Sequence, residues 1–428
     1  MDRLYGSKFG ITSWSAWLAV FLIPFISLPV LPSVYRPVSV YFLIIPAFLF
    51  LTSRERLWVK QDFFVALFLI YVTVYGFIAG YSNFLFGFEL YFKDVIVLLV
   101  GSIVYFGFRF VLEMYGLKFF FKVSNLSFKL LLFVGLVEIL AIIGVLPSGI
   151  KEFMNMFFSG KHQDRVQLTT MEASWGGRVF LFSFVIYLYS SLDKLKIFYV
   201  VLALFLFSFI FSVGVVGVLL LAIFVYFVFV YGIKGVVIFL VTTIVFYLLM
   251  SVMLDVFSSL GFGGYHLARL HAIVAGDFYQ ISDMLVYDQS IFIRIGYPLL
   301  SVYVYMDNIF GVGLGQYSLY FNDYVVDVYG RSVLTFPEVV GDVVESDGDE
   351  RSLIFKILVE TSFLGLLIFF SVVMYSLRNR IQESYDSFKV FFLILAVTSS
   401  FTIGSWAYMY LWIGLAILPA KIEGKYKL

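Results

Sequence analysis

The chain has 428 residues, of which 62% are hydrophobic and 13% charged, against roughly 45–50% and about 25% in an average soluble domain. That balance excludes a water-soluble globule, and a formal net charge of +1 supplies no field of the kind that draws in nucleic acid. Cysteine is absent, which excludes disulfide frameworks, thiolate metal sites and cysteine nucleophiles.

Met1 to Gly10 is polar and leads into an apolar segment without a small-residue cleavage site, so that segment is expected to be retained as a span. Apolar segments follow at about Ser13–Leu31, Val38–Leu51, Phe63–Tyr81, Val95–Leu112, Phe128–Leu146, Val179–Leu192, Ile197–Ser212, Val213–Tyr231, Gly235–Met253, Leu353–Leu377 and Val390–Pro419. The last is long and interrupted near Gly404-Ser405, as two short crossings would be. Twelve spans of about 20 residues use about 240 positions. The expected fold is therefore an all-α polytopic membrane protein of about twelve transmembrane helices, with eleven if the final segment crosses once.

Charge placement orients the spans. With the N-terminus cytoplasmic, the short connections on that side carry Arg54, Arg56, Lys60, Arg109, Lys118, Lys122, Lys129, Lys194, Lys196, Lys234, Arg378, Arg380 and Lys389, as the positive-inside rule requires. Lys421, Lys425 and Lys427 join them if the final segment crosses twice. The expected organisation is five spans in 1–146, a first outer loop at 147–178, four spans in 179–253, a large outer loop at 254–352 and the C-terminal spans in 353–428. The acidic end of the large loop, from Asp323 through Asp342, Glu345, Asp347, Asp349 and Glu350, lacks helical periodicity and reads as a solvated flap.

The outer loops hold all three histidines, His162, His266 and His271, together with Arg165, Arg178, Arg269, Arg294, Arg331 and Arg351. Guanidinium presents a planar fork of donors suited to phosphate oxygens, and at a membrane surface the phosphate at hand belongs to a lipid headgroup or a polyprenyl pyrophosphate. In the first loop, Arg165 and Arg178 flank Glu172 just before a span. That carboxylate reads either as a general base raised by desolvation or as a counter-ion of its neighbours. Trp175 reads as an interfacial anchor or a sugar-stacking platform.

In the second loop Arg294 lies 17 positions before Gly311, which opens the run Gly311-Val312-Gly313-Leu314-Gly315. No Lys-Ser/Thr follows, so this is no nucleotide loop; alternate glycines instead permit tight turning and close backbone approach to a ligand or a helix. Asp347-Gly348-Asp349-Glu350 is a weak cation candidate with no readable liganding geometry. Within the apolar stretches, Arg109 and Glu138 are expected to snorkel or to pair with one another.

Several of these segments resemble the O-antigen polymerase and ligase superfamily of bacterial envelope enzymes. Arg294 followed by Asn308-Ile309-Phe310-Gly311-Val312-Gly313-Leu314-Gly315-Gln316-Tyr317 is similar to that family's arginine and Asn-Pro-(Leu/Phe)-Phe-Gly-Val-Gly-Leu-Gly run, with Ile309 in place of the proline. Leu353 to Gly365 resembles its apolar stretch ending in Glu and a Gly-x-x-Gly pair, with Glu360 matching and Ser362 replacing the first glycine. Arg165, Glu172, Ala173 and Ser174 resemble an Arg…Glu-Pro-Ser pattern, and Arg165 to Gly176 fits an Arg-x10-Gly spacing associated with polymerases. The resemblance covers roughly 147–365. Ligases of the superfamily commonly carry His-Asn where this chain has Arg351-Ser352, which favours a polymerase of the Wzy type.

The resemblance implies a GT-C-like membrane enzyme of the bacterial inner membrane, with its site facing the periplasm. It would be a metal-independent, inverting glycosyltransferase that joins undecaprenyl-pyrophosphate-linked oligosaccharide repeat units into O-antigen or a capsular or exopolysaccharide. No cofactor is expected; donor and acceptor lipids, the bilayer, a chain-length regulator and a flippase are the partners it implies. On that reading Arg165, Arg294, Arg351 and Arg178 bind the pyrophosphate as it leaves. Glu172 accepts the acceptor's proton, with His271 as the second candidate. Transfer of finished polymer to lipid A-core by a ligase, and transport of the lipid-linked sugar, are the competing readings.

Overall fold

Long apolar runs leave the backbone one local way to satisfy its own donors and acceptors away from water, the helix. Every regular element in the described part of the computed structural model is helical; the described residues are 10–26, 37–53, 57–81, 84–158, 166–170, 173–190, 196–210, 213–241, 243–244, 289, 292–345, 348–378 and 384–422. In order these are α1 (Ile11–Phe21), α2 (Ser39–Thr52), α3 (Lys60–Ala79), α4 (Phe84–Ile142), α5 (Ser148–Phe158), α6 (Ala173–Ser190), α7 (Ile197–Ile210) and α8 (Val213–Tyr231). After a further helical run at 233–241 come α9 (Tyr297–Asp307), α10 (Ser318–Tyr329), α11 (Pro337–Glu345), α12 (Leu353–Arg378), α13 (Ser384–Ser399) and α14 (Met409–Ile417).

Among the described residues, four helical segments are long and apolar enough to cross a membrane: Lys60–Ala79, Gly87–Ile142, Gly214–Tyr231 and Leu353–Arg378. On α3, Phe63, Leu67, Ile70, Val74 and Ile78 recur at helical spacing and are each more than half exposed. Such a stripe suits lipid, not water. This is a helical membrane protein.

Three reversals set the topology. Gly116 (φ 75, ψ 173) breaks α4, and the rings of Phe108 and Phe120 lie 6.3 Å apart although twelve helical residues would separate them by about 18 Å. Gly232 (φ 60) turns the chain after α8, bringing Phe224 and Phe239 to 4.9 Å. The stretch between α13 and α14 folds the final apolar segment back on itself, so that Lys389 Nζ donates to the Ala420 carbonyl at 2.8 Å.

These turns sort the helix ends into two groups. At one end, rich in basic connections, the Leu117 N–H donates to the Lys421 carbonyl at 3.1 Å, Phe388 packs on Phe121 and Tyr189, and Ser190 donates to Asn125. At the other end the glycine run meets α3, α4 and α12. One large apolar core joins α1–α4 and α6–α8 to α12–α14.

A second core, formed by Phe292, Tyr297, Leu300, Val312, Tyr317, Phe321, Val325, Val333, Val339 and Val359 among others, sits over that second end. It corrects the solvated-flap expectation for 323–350: most of that stretch is helical, in α10, a 3-10 turn at Arg331–Thr335 and α11. The aspartates hid the pattern, because Val325, Val333 and Val339 turn inward beneath them.

The expected pairing of Arg109 with Glu138 is also corrected. Arg109 is fully buried and bonds Asp62 through Nε at 2.8 Å. Glu138 is held by Lys151 and by the backbone N–H groups of Gln167 and Leu168 at 2.9 and 2.8 Å. Each finds its partner on another element.

Candidate functional site

The site begins with a break in a helix. Within α12, Ser362 adopts φ 67, ψ 175, a conformation disfavoured for residues with a Cβ, and the carbonyls before it lose their helical partners. The glycine run supplies substitutes: Val312 N–H donates to the Val359 carbonyl at 2.8 Å and Gly313 N–H to that of Glu360 at 3.2 Å. Tyr71 O–H reaches the Thr361 carbonyl at 3.2 Å. The run also caps α3, through Leu314 N–H to the Gly76 carbonyl at 3.2 Å and Gln316 Nε2 to that of Gly80 at 3.0 Å.

Two of these glycines are required by position. Gly313 (φ 98) and Gly315 (φ 75) lie in the left-handed region, and a Cβ would be driven into the Gly80 backbone at the first and the Leu90 carbonyl at the second. The close approach expected of this run is therefore to helices. Gly315 N–H donates to Glu360 Oε1 at 2.9 Å, so the glycine run and the Glu360 segment, the two motifs of the C-terminal half, form one unit.

Beside this unit lies a cavity of about 200 Å³, whose polar lining includes Lys93, Asp94, Asp349, Glu350, Lys356 and Glu360, with Tyr317 and Trp406 among its aromatic walls. Lys356 Nζ stands 2.8 Å from Asp94 Oδ2, 3.3 Å from Glu360 Oε1 and 3.5 Å from Glu350 Oε2. One buried ammonium thus faces three carboxylates. Glu350 is 0% exposed, and neither of its oxygens accepts a hydrogen bond from another described residue. Burial pushes its carboxyl up from the ordinary value to about 7, with Lys356 pulling it down and Asp349 and Asp94 pushing it up. A carboxyl raised toward neutrality and bordering a cavity is suited to proton transfer.

Three of the four arginines assigned to the pyrophosphate lie among the described residues, and one belt of contacts connects them. Arg294, in a π-helical turn at Phe292–Gly296, lies over Gly214. The neighbouring Val215 packs against Gly177, next to Arg178. Arg178 is 4% exposed, has its guanidinium 5.5 Å from the Trp175 ring, and donates through Nη2 to Thr402 Oγ1 at 2.9 Å. Two residues on, Gly404 packs against the Arg351 backbone, and Leu353 N–H donates to the Ile403 carbonyl at 2.6 Å.

Arg351 is enclosed by carboxylates. Its guanidinium meets Asp349 at 3.0 Å, Asp342 at 3.3 Å and Glu338 at 3.5 Å and lies 6.0 Å from the Tyr297 ring. Burial opposes its charge, but those carboxylates outweigh burial and raise its pKa. Its neighbours make it a rivet between α11 and the cavity rim. Arg165, Glu172 and His271 lie outside the described residues. Among the described residues no group of His, Cys, Asp and Glu is arranged to hold a metal ion; of the Asp347–Glu350 cluster, Asp349 faces Arg351 and Glu350 faces Lys356.

Sequence reasoning missed Asp94, Lys356 and the place of Glu350 beside them. The signal available was thin: the adjacent Lys93-Asp94 pair at the head of an apolar run, and a Lys four residues before Glu360. No family model, curated protein or solved structure matches the chain.

Proposed function

We propose that the protein is a polymerase of lipid-linked oligosaccharide repeat units: a metal-independent, inverting glycosyltransferase with an undecaprenyl-pyrophosphate leaving group, built on about twelve spans and working on the periplasmic face of a bacterial inner membrane. The observation that carries this reading is the belt joining Arg294, Arg178 and Arg351, which brings guanidinium-bearing segments from three distant parts of the chain to the same end as the glycine run and Glu360. A leaving diphosphate develops negative charge at the oxygen that joined it to the sugar, and preorganised cations in a partly dehydrated site stabilise that charge. Arg178 and Arg294, with Arg165 from the first loop, are assigned that task. Arg351, already shared by three carboxylates, holds the rim.

The test is direct. Reconstituted protein given undecaprenyl-pyrophosphate-linked repeat units should build a ladder of longer chains without nucleotide sugar or added metal, and Arg294→Ala should lower the rate by on the order of 10²–10³. An unchanged ladder removes Arg294 from the site. Supplying lipid A-core beside the repeat units separates polymerase from ligase by which acceptor grows. Any covalent product from detergent-purified protein, where no membrane potential exists, excludes pure transport.

A further inference from the structure

The cavity offers acceptors as well as cations: Asp94, Asp349, Glu350 and Glu360 stand there beside Lys93 and Lys356. It suits a neutral, hydroxyl-bearing ring, because carboxylate oxygens accept hydrogen bonds from vicinal hydroxyls and an aromatic wall packs against ring C–H groups. At about 200 Å³ it is smaller than the roughly 300–1,000 Å³ pockets of drug-sized ligands, so it takes a terminal sugar, not an oligosaccharide.

We infer that this cavity receives the terminal sugar of the acceptor repeat unit and that Glu350, which borders it beside Lys356 and accepts no hydrogen bond from another described residue, is the base that takes the proton from the attacking hydroxyl. This rests on the polymerase reading. The acceptor O–H bond breaks and its proton passes to a Glu350 carboxylate oxygen. The acceptor oxygen forms a bond to the donor's anomeric carbon from the face opposite the phosphate. The anomeric carbon–oxygen bond to the diphosphate breaks, and its electron pair leaves with the diphosphate toward Arg178 and Arg294. Nothing is oxidised or reduced, and Glu350 returns its proton to water. Lys356 and Asp94, from α12 and α4, set the carboxylate's field together with Asp349, Glu360, Lys93 and the Tyr317 hydroxyl.

The experiment compares wild type, Glu350→Gln, Glu350→Asp, Glu172→Gln and His271→Gln, each reconstituted with undecaprenyl-pyrophosphate-linked repeat units across a range of pH. Undecaprenyl pyrophosphate alone serves as a binding probe of folding. Wild-type turnover should fall as pH drops below about 7, where Glu350 gains its proton. Glu350→Gln should lose on the order of 10²–10⁴ in kcat and that acid limb with it, while keeping its acceptor KM and its affinity for the probe. Glu350→Asp should restore part of the rate.

A Glu350→Gln enzyme that builds the wild-type ladder with the wild-type pH profile overturns the inference and leaves the polymerase reading standing. So does loss of the acid limb in Glu172→Gln or His271→Gln alone. A wild-type protein that binds the probe yet builds no ladder fails the polymerase reading itself, and the role of Glu350 goes with it.

Discussion

Each end of the bundle buries an ion network, and the two are built differently. At the basic end, Asp62 accepts from Arg109 Nε at 2.8 Å and Nη2 at 3.3 Å, from Tyr105 O–H at 2.7 Å and from the Val59 N–H at 2.8 Å. Asp62 and Arg109 are both fully buried, and Asp62 also anchors the first turn of α3. Here one anion meets one cation, and the carboxylate's acceptor sites are filled. At the glycine-loop end three carboxylates share one lysine, Glu350 accepts no hydrogen bond from another described residue, and a cavity lies alongside. A carboxylate whose acceptor sites are filled fixes helices; one short of donors beside a cavity leaves room for something outside the protein to complete it. The first is architecture, and the second is where chemistry is expected.

The largest expected effect tests the closed network. Asp62→Ala strands the Arg109 guanidinium, and removing one partner of a buried pair costs about 3–5 kcal/mol. Detergent-solubilised Asp62→Ala should melt well below wild type or fail to accumulate. Replacing both partners, as Asp62→Leu with Arg109→Met, should recover most of that loss, since a packed apolar pair is often no worse than the ion pair. A double variant as damaged as the single one would mean that Asp62 acts chiefly through Val59 and Tyr105.

The open network should respond in the opposite sense. Because Glu350 in the folded protein holds its proton up to about 7, above the ordinary carboxyl range, ionising it opposes folding. That penalty is absent below the ordinary range and complete above about 7. Glu350→Gln should therefore stabilise the protein near about pH 8, on the order of a few kcal/mol, and leave it unchanged near about pH 4. Thermal melts at the two pH values read the difference, and destabilisation at the higher pH would mean that Glu350 is structural. Removing the shared cation by Lys356→Met should move the midpoint of Glu350 upward, because Lys356 pulls it down. Carbodiimide labelling of protonated Glu350, followed against pH, should then persist to higher pH than in wild type.

The contrast also shows what the sequence disclosed. The apolar segments and the interruption near Gly404-Ser405 are visible as hydropathy, a property of neighbours along the chain, and the reversal between α13 and α14 falls there. The glycine run was legible as a close-approach element because left-handed geometry leaves glycine in the sequence. The networks were not legible. Asp62 with Arg109 and Asp94 with Lys356 are pairs separated by 47 and 262 positions, and a charge in an apolar run says that a partner exists without saying which. Arg351 looked like a free guanidinium beside acidic residues, yet only folding places Asp342 and Glu338 against it.

The smallest expected effect concerns the break that opens the second network. Ser362 at φ 67 carries a left-handed backbone that costs a residue with a Cβ roughly 1–2 kcal/mol, at the position where the resembling family has glycine. Its hydroxyl offsets part of that by accepting from the Leu364 N–H at 3.3 Å, a cap whose replacement by glycine loses only a few tenths of a kcal/mol. Ser362→Gly should therefore raise thermal stability slightly, by about 1 kcal/mol. Ser362→Val, which lacks the cap and adds branching at Cβ, should lower it by more than that. If Ser362→Gly instead destabilises, the hydroxyl outweighs the backbone strain, and the glycine run must depend on Ser362 itself to keep the Val359 and Glu360 carbonyls turned toward Val312 and Gly313.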